Sequence, residues 1–187
     1  MWLRLKHLNG NSSLQNFVLK LIIGSIIIFS VVILFLFALF PSEISVSRIL
    51  LIESSPAQVA KKITDLRDWK NWNELLMNSI SQNQKNYPEP GLIDSNYIGL
   101  GYLTIELLKA GPDSVITRWQ RGNKSFMGNF ILSPQGNGQT ILEWTLHFHI
   151  KWYPWDKLAS MFYEKQLGPV MELSLVKLQK ELQASGR

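Results

Sequence analysis

The strongest constraint on the fold is an uninterrupted apolar run, residues 21–40, which contains no charged side chain. Sixteen of its twenty residues are Leu, Ile, Val or Phe. At a rise of about 1.5 Å per residue, a helix of this length spans about 30 Å, the thickness of the hydrocarbon core of a bilayer. Each such side chain favours insertion by about 0.3–0.6 kcal/mol. The run therefore predicts one transmembrane helix.

A cleaved signal peptide is the competing interpretation of this run. Signal peptides have a shorter apolar core, of about 7–15 residues, and small residues at the cleavage site. The run ends in Phe40-Pro41, which offers no such site. An uncleaved membrane anchor is therefore favoured.

The charges that flank the run predict its orientation. Arg4, Lys6 and Lys20 precede it without a single acidic residue. By the positive-inside rule, the segment 1–20 lies in the cytoplasm and residues 41–187 lie on the other side of the membrane. We expect a single-pass membrane protein whose domain is periplasmic or extracellular, with a bacterial inner membrane as the simplest setting.

The residues that follow the run are enough for one domain. The whole chain holds 19 basic and 14 acidic residues, and three of the basic ones precede the run, so the domain carries only a small positive excess. This balance gives no basic stripe of the kind that binds nucleic acid. The chain has no cysteine, which excludes disulfides, a thiolate nucleophile and thiolate metal sites. No cofactor is predicted.

Hydrophobic alternation and turn residues divide the domain into strands and short helices. A helix begins at Ser55-Pro56, and Gln58 completes its capping box. The stretch 77–98 is rich in Asn, Ser, Gln, Pro and Gly and is predicted as a loop with one or two short strands. The remaining predicted elements are strands at 44–53, 101–108, 114–121, 124–133 and 140–150, and a short helix or turn at 65–72. Short connections between the last four strands predict antiparallel neighbours.

The chain closes with a predicted helix, residues 155–184. The apolar residues of its second half recur at the spacing of one helix face: Met171, Leu175, Leu178 and Leu182. A proline inside a helix costs about 3 kcal/mol, so a kink or short break is expected at Gly168-Pro169. A helix with one apolar stripe needs a partner surface, and the strands that precede it supply one.

Few polar residues form a pattern typical of catalysis or metal binding. His147-x-His149 places two imidazoles on one face of a strand, but no third ligand lies at a telling distance, so a solvated strand face is favoured over a metal site. Gly99-x-Gly101 lacks the third glycine of a dinucleotide fingerprint and is interpreted as a turn. No catalytic residue is predicted.

Three charged residues fall on predicted strands: Glu106, Arg118 and Glu143. A carboxylate that points into an apolar cavity could anchor a ligand head group or act as an acid or base. Cross-strand pairs on the surface are the favoured interpretation. Glu143 alternates with Trp144 and is expected to face outward.

Three passages of the domain carry a family resemblance. The first combines Val46-Ser-Arg48, Ser55-Pro56-x-x-Val59, Asp65 and Trp69-x-x-Trp72. The second combines Phe130-x-Leu132-x-Pro134 with Thr140-x-Leu142-x-Trp144, and the third is Gly168-Pro169-x-Met171-Glu172-x-Ser174-Leu175-x-x-Leu178. Together with the order of elements, over about residues 44–184, they resemble the SRPBCC superfamily of START-like, polyketide cyclase and lipid-transport domains. The bacterial members with one N-terminal membrane span are the most similar.

The resemblance implies an α+β helix-grip fold, in which a curved antiparallel sheet wraps around a long C-terminal helix and leaves an apolar cavity between them. Family members bind lipids, sterols, polyketides or hormones there. Strand alternation and helix spacing turn these residues inward: Trp119, Phe126, Phe130, Leu142, Trp144, Leu146, Phe162, Met171 and Leu175. A domain of this size needs a packed core, so for any single one of them a core position is favoured over ligand contact, and the expectation that they line a cavity comes from the resemblance. Trp69, Trp72 and Arg121 are expected at its edge.

Three functions remain compatible with this sequence. The favoured one is a membrane-anchored domain that binds a hydrophobic small molecule or lipid. The alternatives are a protein-interaction module with a filled core and an enzyme of the cyclase or dehydratase type. An apolar cavity would favour the binding domain. A closed core with an exposed apolar patch would favour the interaction module. A buried carboxylate or histidine in the cavity would favour the enzyme.

Overall fold

A computed structural model describes residues 9–39, 41–86 and 91–185. Its helices are α1 (Asn9–Ala38), α2 (Pro56–Thr64), α3 (Trp69–Trp72), α4 (Glu74–Asn86), α5 (Pro154–Ser160) and α6 (Tyr163–Ser185). Its strands are β1 (Glu43–Ile52), β2 (Leu92–Ile93), β3 (Tyr97–Leu100), β4 (Leu103–Ala110), β5 (Ser114–Arg121), β6 (Lys124–Gln135) and β7 (Gln139–His149). Short 3₁₀ turns cover Leu66–Asp68 and Gly136–Gly138.

The seven strands form one antiparallel sheet in the order β1-β7-β6-β5-β4-β3-β2. The first strand, β1, pairs with the last strand, β7, so the beginning and the end of the strand sequence lie side by side in the sheet. Helix α6 packs against β1, α3 and α4, while α2 packs against β5, β6 and β7. The predicted α+β helix-grip fold is therefore confirmed: a curved antiparallel sheet embraces the C-terminal helix.

An aromatic cluster forms the centre of the core. Its members are at most 2% exposed: Trp69, Trp72, Trp119, Phe130 and Trp144. The rings of Phe130 and Trp144 stack with their centroids 5.1 Å apart, and the indole N–H of Trp69 donates to the carbonyl oxygen of Ile63 at 2.8 Å. The sheet, the short helix α3 and the helix α2 are thus joined through one packed cluster.

Helix α1 differs from the other helices in its length and its hydrophobicity. Its stretch Leu14–Ala38 has a mean hydropathy of 3.1 and is long and apolar enough to cross a membrane. The predicted helix 21–40 falls within α1 up to residue 38, and Phe40 lies outside the described residues.

The region between α3 and β3 differs from its prediction. Residues 77–86, predicted as a loop, continue helix α4, whereas β2 and β3 supply the short strands. Leu76 and Ile80, four residues apart, turn toward the core and give the helix an apolar face. The sequence around them is rich in Asn, Ser and Gln, and this polar composition led to the prediction of a loop.

The break in the C-terminal helix lies earlier than predicted. Residues 161–162 form a turn between α5 and α6, whereas α6 runs without interruption through Gly168-Pro169. The missing N–H of Pro169 leaves a carbonyl oxygen without its helical partner at Lys165, on a side of the helix where both residues are exposed to water. Water can therefore satisfy that oxygen, and the helix continues.

Gly168 was predicted to be part of a helix break, but in the structure it allows close packing between helix α6 and strand β1. The guanidinium group of Arg48 lies against it: a Cβ at position 168 would be 1.9 Å from Nη2 of Arg48. The same nitrogen binds Oε1 of Glu164 at 2.7 Å. The glycine thus lets strand β1 and helix α6 approach each other around an ion pair.

Candidate functional site

A cavity of about 430 Å³ opens at one end of the domain, between the sheet and helices α4 and α6. Its inner wall is apolar and is formed by residues of the sheet, of the segment after β7 and of helices α4 and α6: Leu75, Leu103, Trp119, Phe126, Leu146, Phe148, Ile150 and Leu167. This volume lies within the range of about 300–1,000 Å³ that is typical of small-molecule sites. The site is therefore large enough for an apolar ligand of modest size.

Four aromatic rings form a continuous wall along this cavity. Trp119 stacks on Phe126 with centroids 5.6 Å apart, Phe126 meets Phe148 at 4.8 Å, and Phe148 meets Tyr163 at 4.9 Å in an edge-on arrangement. The wall therefore runs from β5 across β6 and β7 to the first turn of α6. All three centroid distances lie in the range that is favourable for aromatic pairs, so the rings stabilise one another along this side of the cavity.

A short polar chain holds the first ring of this wall in place. The indole N–H of Trp119 donates to Oγ1 of Thr117 at 3.1 Å, and that hydroxyl donates to the carbonyl oxygen of Gly128 at 3.0 Å. A Cβ on Gly128 would lie 2.6 Å from the same hydroxyl and 2.9 Å from the indole nitrogen. Only glycine leaves room for this chain on strand β6.

The mouth of the cavity is polar and carries more positive than negative charge. Arg121, Lys124 and Lys151 lie there together with Asp156. Nζ of Lys124 binds Oδ1 of Asp156 at 3.0 Å, and this hydrogen bond raises the pKa of Lys124. The lysine stays charged through neutral pH, so the ion pair ties the start of β6 to α5 across the mouth.

Arg121 is fixed at this mouth by an aromatic ring. Its guanidinium carbon lies 5.2 Å from the centroid of the Tyr102 ring, within the range of a cation–π contact. Arg121, which was predicted at the edge of the cavity, is the last residue of β5 and lies among the residues that line the cavity.

The residues predicted to line the cavity lie at different depths in the structure. Trp119, Phe126 and Leu146 lie on its wall. Five others are at most 2% exposed and belong to the packed core instead: Phe130, Leu142, Trp144, Met171 and Leu175. Strand alternation predicts which side of the sheet a side chain lies on, but it does not predict how far along the strand the cavity extends. These five side chains therefore lie on the inner side of the domain without lining the cavity.

Three further predicted residues differ from expectation: two are more deeply buried than predicted, and one is more exposed. Trp69 and Trp72 are buried in the aromatic cluster and not at the cavity edge, because α3 packs below it against Phe130 and Trp119. Phe162 is 56% exposed and does not line the cavity. It falls in the turn between α5 and α6, so the helical spacing that placed it inward does not apply.

Several wall residues were missed by the sequence analysis. Leu75, Asn78 and Ser79 come from α4, which was not predicted as a helix, and Tyr163, Gln166 and Leu167 come from the first turns of α6. The spacing Leu75-x-x-Asn78-Ser79 places these three residues on one helix face, and this is the signal that could have revealed them.

Of the remaining candidate polar residues on the strands, His149 lines the cavity, whereas the others lie away from its wall. Nη1 of Arg118 binds Oε2 of Glu106 at 3.1 Å across neighbouring strands, and both side chains are about half exposed, which confirms a surface pair. Glu143 accepts a hydrogen bond from Oγ of Ser47 at 3.0 Å on the outer face of the sheet. His147 and His149 are exposed at the end of β7, and His149 reaches the rim of the cavity.

A sheet that grips a C-terminal helix beside an apolar cavity defines the START-like class of domains. The chain belongs to the family described as "Polyketide cyclase / dehydrase and lipid transport", whose profile matches residues 43–183. This match confirms the resemblance to the SRPBCC superfamily. No curated protein is similar enough to this chain to count as a match.

Solved structures with the same fold come from several bacteria. A START superfamily protein from Mycobacterium smegmatis superposes with a TM-score of 0.54 at 15% identity, over 75% of this chain and 97% of that one. A protein from Mesorhizobium loti gives 0.50 at 16% identity, over 75% and 98%. The protein XoxI from Bacillus cereus gives 0.51 at 11% identity, over 76% and 98%. At these identities the likeness establishes the fold alone.

Proposed function

We propose that this protein binds a hydrophobic small molecule or lipid in the cavity between the sheet and helices α4 and α6, and that helix α1 tethers it to a membrane. The observation that carries the proposal is the cavity itself, about 430 Å³ with a wall of apolar and aromatic side chains. Burial of apolar ligand surface against such a wall contributes about 25 cal/mol per Å². The family fold supports the same function.

The charge at the mouth favours an amphipathic ligand with an acidic head group. An apolar body would lie against Phe126, Phe148 and Leu167, while the head group would remain at the mouth beside Arg121 and Lys124. A carboxylate or phosphate there would accept charge-assisted hydrogen bonds, which are stronger than neutral ones.

The membrane tether rests on α1 and on the charges that precede it. The stretch Leu14–Ala38 has the length and hydropathy of a membrane span. By the positive-inside rule, Arg4, Lys6 and Lys20 favour a cytoplasmic N-terminus and a periplasmic or extracellular domain from residue 41 onward. A tether of this kind keeps the binding domain next to a supply of apolar ligand.

The two alternative functions have weaker support. A protein-interaction module with a filled core does not explain the open cavity. An enzyme of the cyclase or dehydratase type needs a polar group that exchanges protons inside the cavity. Among the described wall residues, Asp156 supplies a carboxylate, but Lys124 holds it in an ion pair at the mouth. His149 supplies an imidazole, but it is exposed and not buried in the cavity.

Photochemical cross-linking from the cavity wall tests the proposed function. A diazirine-bearing leucine analogue at Leu167, which lines the cavity from α6, should yield one discrete hydrophobic adduct when the full chain is irradiated in its native membrane. The same analogue at Leu173, an exposed position on the same helix, is the control. Absence of an adduct at position 167, or the same mixture of bulk lipids at both positions, would contradict ligand binding in this cavity.

A further inference from the structure

The segment between β7 and α6 exposes an unusual concentration of large apolar side chains. We call these residues the α5 patch: Trp152, Trp155, Leu158, Met161 and Phe162. Trp152 and Trp155 are 68% and 66% exposed, Met161 59%, Phe162 56% and Leu158 48%. A patch of five neighbouring apolar side chains on one short segment marks an interaction surface, because single exposed residues would be scattered over the domain.

The α5 patch flanks the mouth of the cavity. Ile150, Lys151 and Asp156 line that mouth, and they precede or interrupt the patch in sequence. Tyr163, which follows Phe162 directly, ends the aromatic wall inside the cavity. The patch therefore lies next to the opening along the chain.

The same end of the domain is the end from which α1 departs. Helix α1 ends at Ala38, and the carbonyl oxygen of Ser42 accepts a hydrogen bond from the N–H of Ile150 at 2.7 Å. Ala38 and Ser42 are four positions apart, so the distance between them is at most about 14 Å in an extended chain. Helices α1 and α5 also contact each other. The proposed membrane tether thus holds the patch within a short distance of the bilayer surface.

The chemistry of the patch fits a lipid surface. Tryptophan and tyrosine are enriched where bilayer and water meet, since their rings are apolar and their N–H and O–H groups are polar. Here the rings form a fixed plate: Tyr153 stacks on Trp155 at 5.1 Å with an angle of 7° between their planes, and Trp152 meets Tyr153 at 4.8 Å. Lys151, which directly precedes Trp152, is exposed and able to meet anionic head groups.

We propose that the α5 patch lies in the head-group region of the bilayer that α1 crosses, so that the cavity opens directly onto the membrane. This inference rests on the proposed function, because it names the source of the ligand that the cavity takes. A hydrophobic molecule would then enter from the bilayer without crossing water. The ion pair between Lys124 and Asp156 would lie at the level of the head groups.

A single environment-sensitive label tests this docking. The chain has no cysteine, so Met161→Cys gives one attachment site for the fluorophore NBD on the patch, and Leu173→Cys gives an exposed control on α6. Full-length protein would be placed in nanodiscs of phosphatidylcholine and phosphatidylglycerol. We expect a blue-shifted NBD emission at position 161 and quenching by spin-labelled lipids several-fold stronger than at position 173.

Two outcomes would overturn the docking. If lipid quenching is weak and equal at both positions and aqueous iodide quenches position 161 strongly, the patch is exposed to water and does not dock on the bilayer. Shielding of position 161 from both lipid and iodide quenchers would mean that protein covers it. A label at Phe162→Cys repeats the test at a second patch position, so that one poorly behaved variant does not decide the result.

The docking and the proposed function fail in distinguishable ways. Lipid quenching at position 161 from a protein that yields no adduct at Leu167 would support docking and contradict ligand binding. A discrete adduct at Leu167 from a protein whose patch remains in water would support ligand binding and contradict docking. The double variant Trp152→Ser/Trp155→Ser should lose most of the quenching at position 161 while the fold is kept, because both side chains are exposed.

Discussion

Replacement of Trp69 by alanine is expected to lower the free energy of unfolding by about 3–5 kcal/mol, because it removes a fully buried indole from the centre of the core. The ring packs against Trp72 at 5.3 Å and Trp119 at 5.7 Å, and its N–H donates to the carbonyl oxygen of Ile63. The variant would leave both a void and an unpaired buried carbonyl oxygen. Since a domain is stable by only about 5–15 kcal/mol, much of this stability would be lost.

The matched control is the same substitution at an exposed tryptophan. Trp152 is 68% exposed, so Trp152→Ala should change the free energy of unfolding by less than about 0.5 kcal/mol. Both variants would be unfolded with urea as full-length protein in detergent micelles, with the circular dichroism of the sheet as the signal. A cost below about 1 kcal/mol at position 69 would contradict the assignment of this ring to the core.

Replacement of Ser79 by tryptophan should remove the ligand from the cavity. Ser79 lies half-buried on α4 and lines the wall opposite the aromatic rings. An indole side chain at this position would point into the open space and compete with the ligand for the same volume. We expect at least a tenfold loss of bound ligand, about 1.4 kcal/mol of binding free energy. Organic extraction of the purified protein followed by quantitative mass spectrometry measures this loss.

Ser81→Trp provides a closely matched control on the same helix. Each serine hydroxyl donates to the carbonyl oxygen four residues earlier, Ser79 to Leu75 at 2.8 Å and Ser81 to Met77 at 3.0 Å. Ser81 is exposed and does not line the cavity. Its variant should retain the ligand. Full ligand content in Ser79→Trp, or an equal loss in both variants, would place the ligand elsewhere.

The order of the elements could be predicted because each left a local signal. The strands β4 to β7 alternate apolar and polar residues between clear turns, and the helix α2 begins with a serine, a proline and a glutamine in a recognisable arrangement. Helix α4 was missed because its sequence is dominated by Asn, Ser and Gln. Its apolar face is narrow, and it forms because α6 offers a surface on which Leu76 can pack.

The candidate site was harder to predict than the fold, for a physical reason. Alternation places Leu142, Trp144 and Leu146 on the same face of β7, yet only Leu146 reaches the cavity. Depth along a strand depends on which helix covers it, and that is a property of the tertiary structure. Phe162 illustrates the converse, since a two-residue turn between α5 and α6 rotates it out to solvent.

Native mass spectrometry of the full-length protein, released from micelles after purification from its own membrane, tests the central claim most directly. The claim is that a hydrophobic molecule occupies the cavity beside Trp119 and Leu146. We predict a discrete added mass that organic extraction assigns to one class of lipid or polyketide. A bare protein mass from a chain that also fails to take up a hydrophobic fluorophore would contradict it.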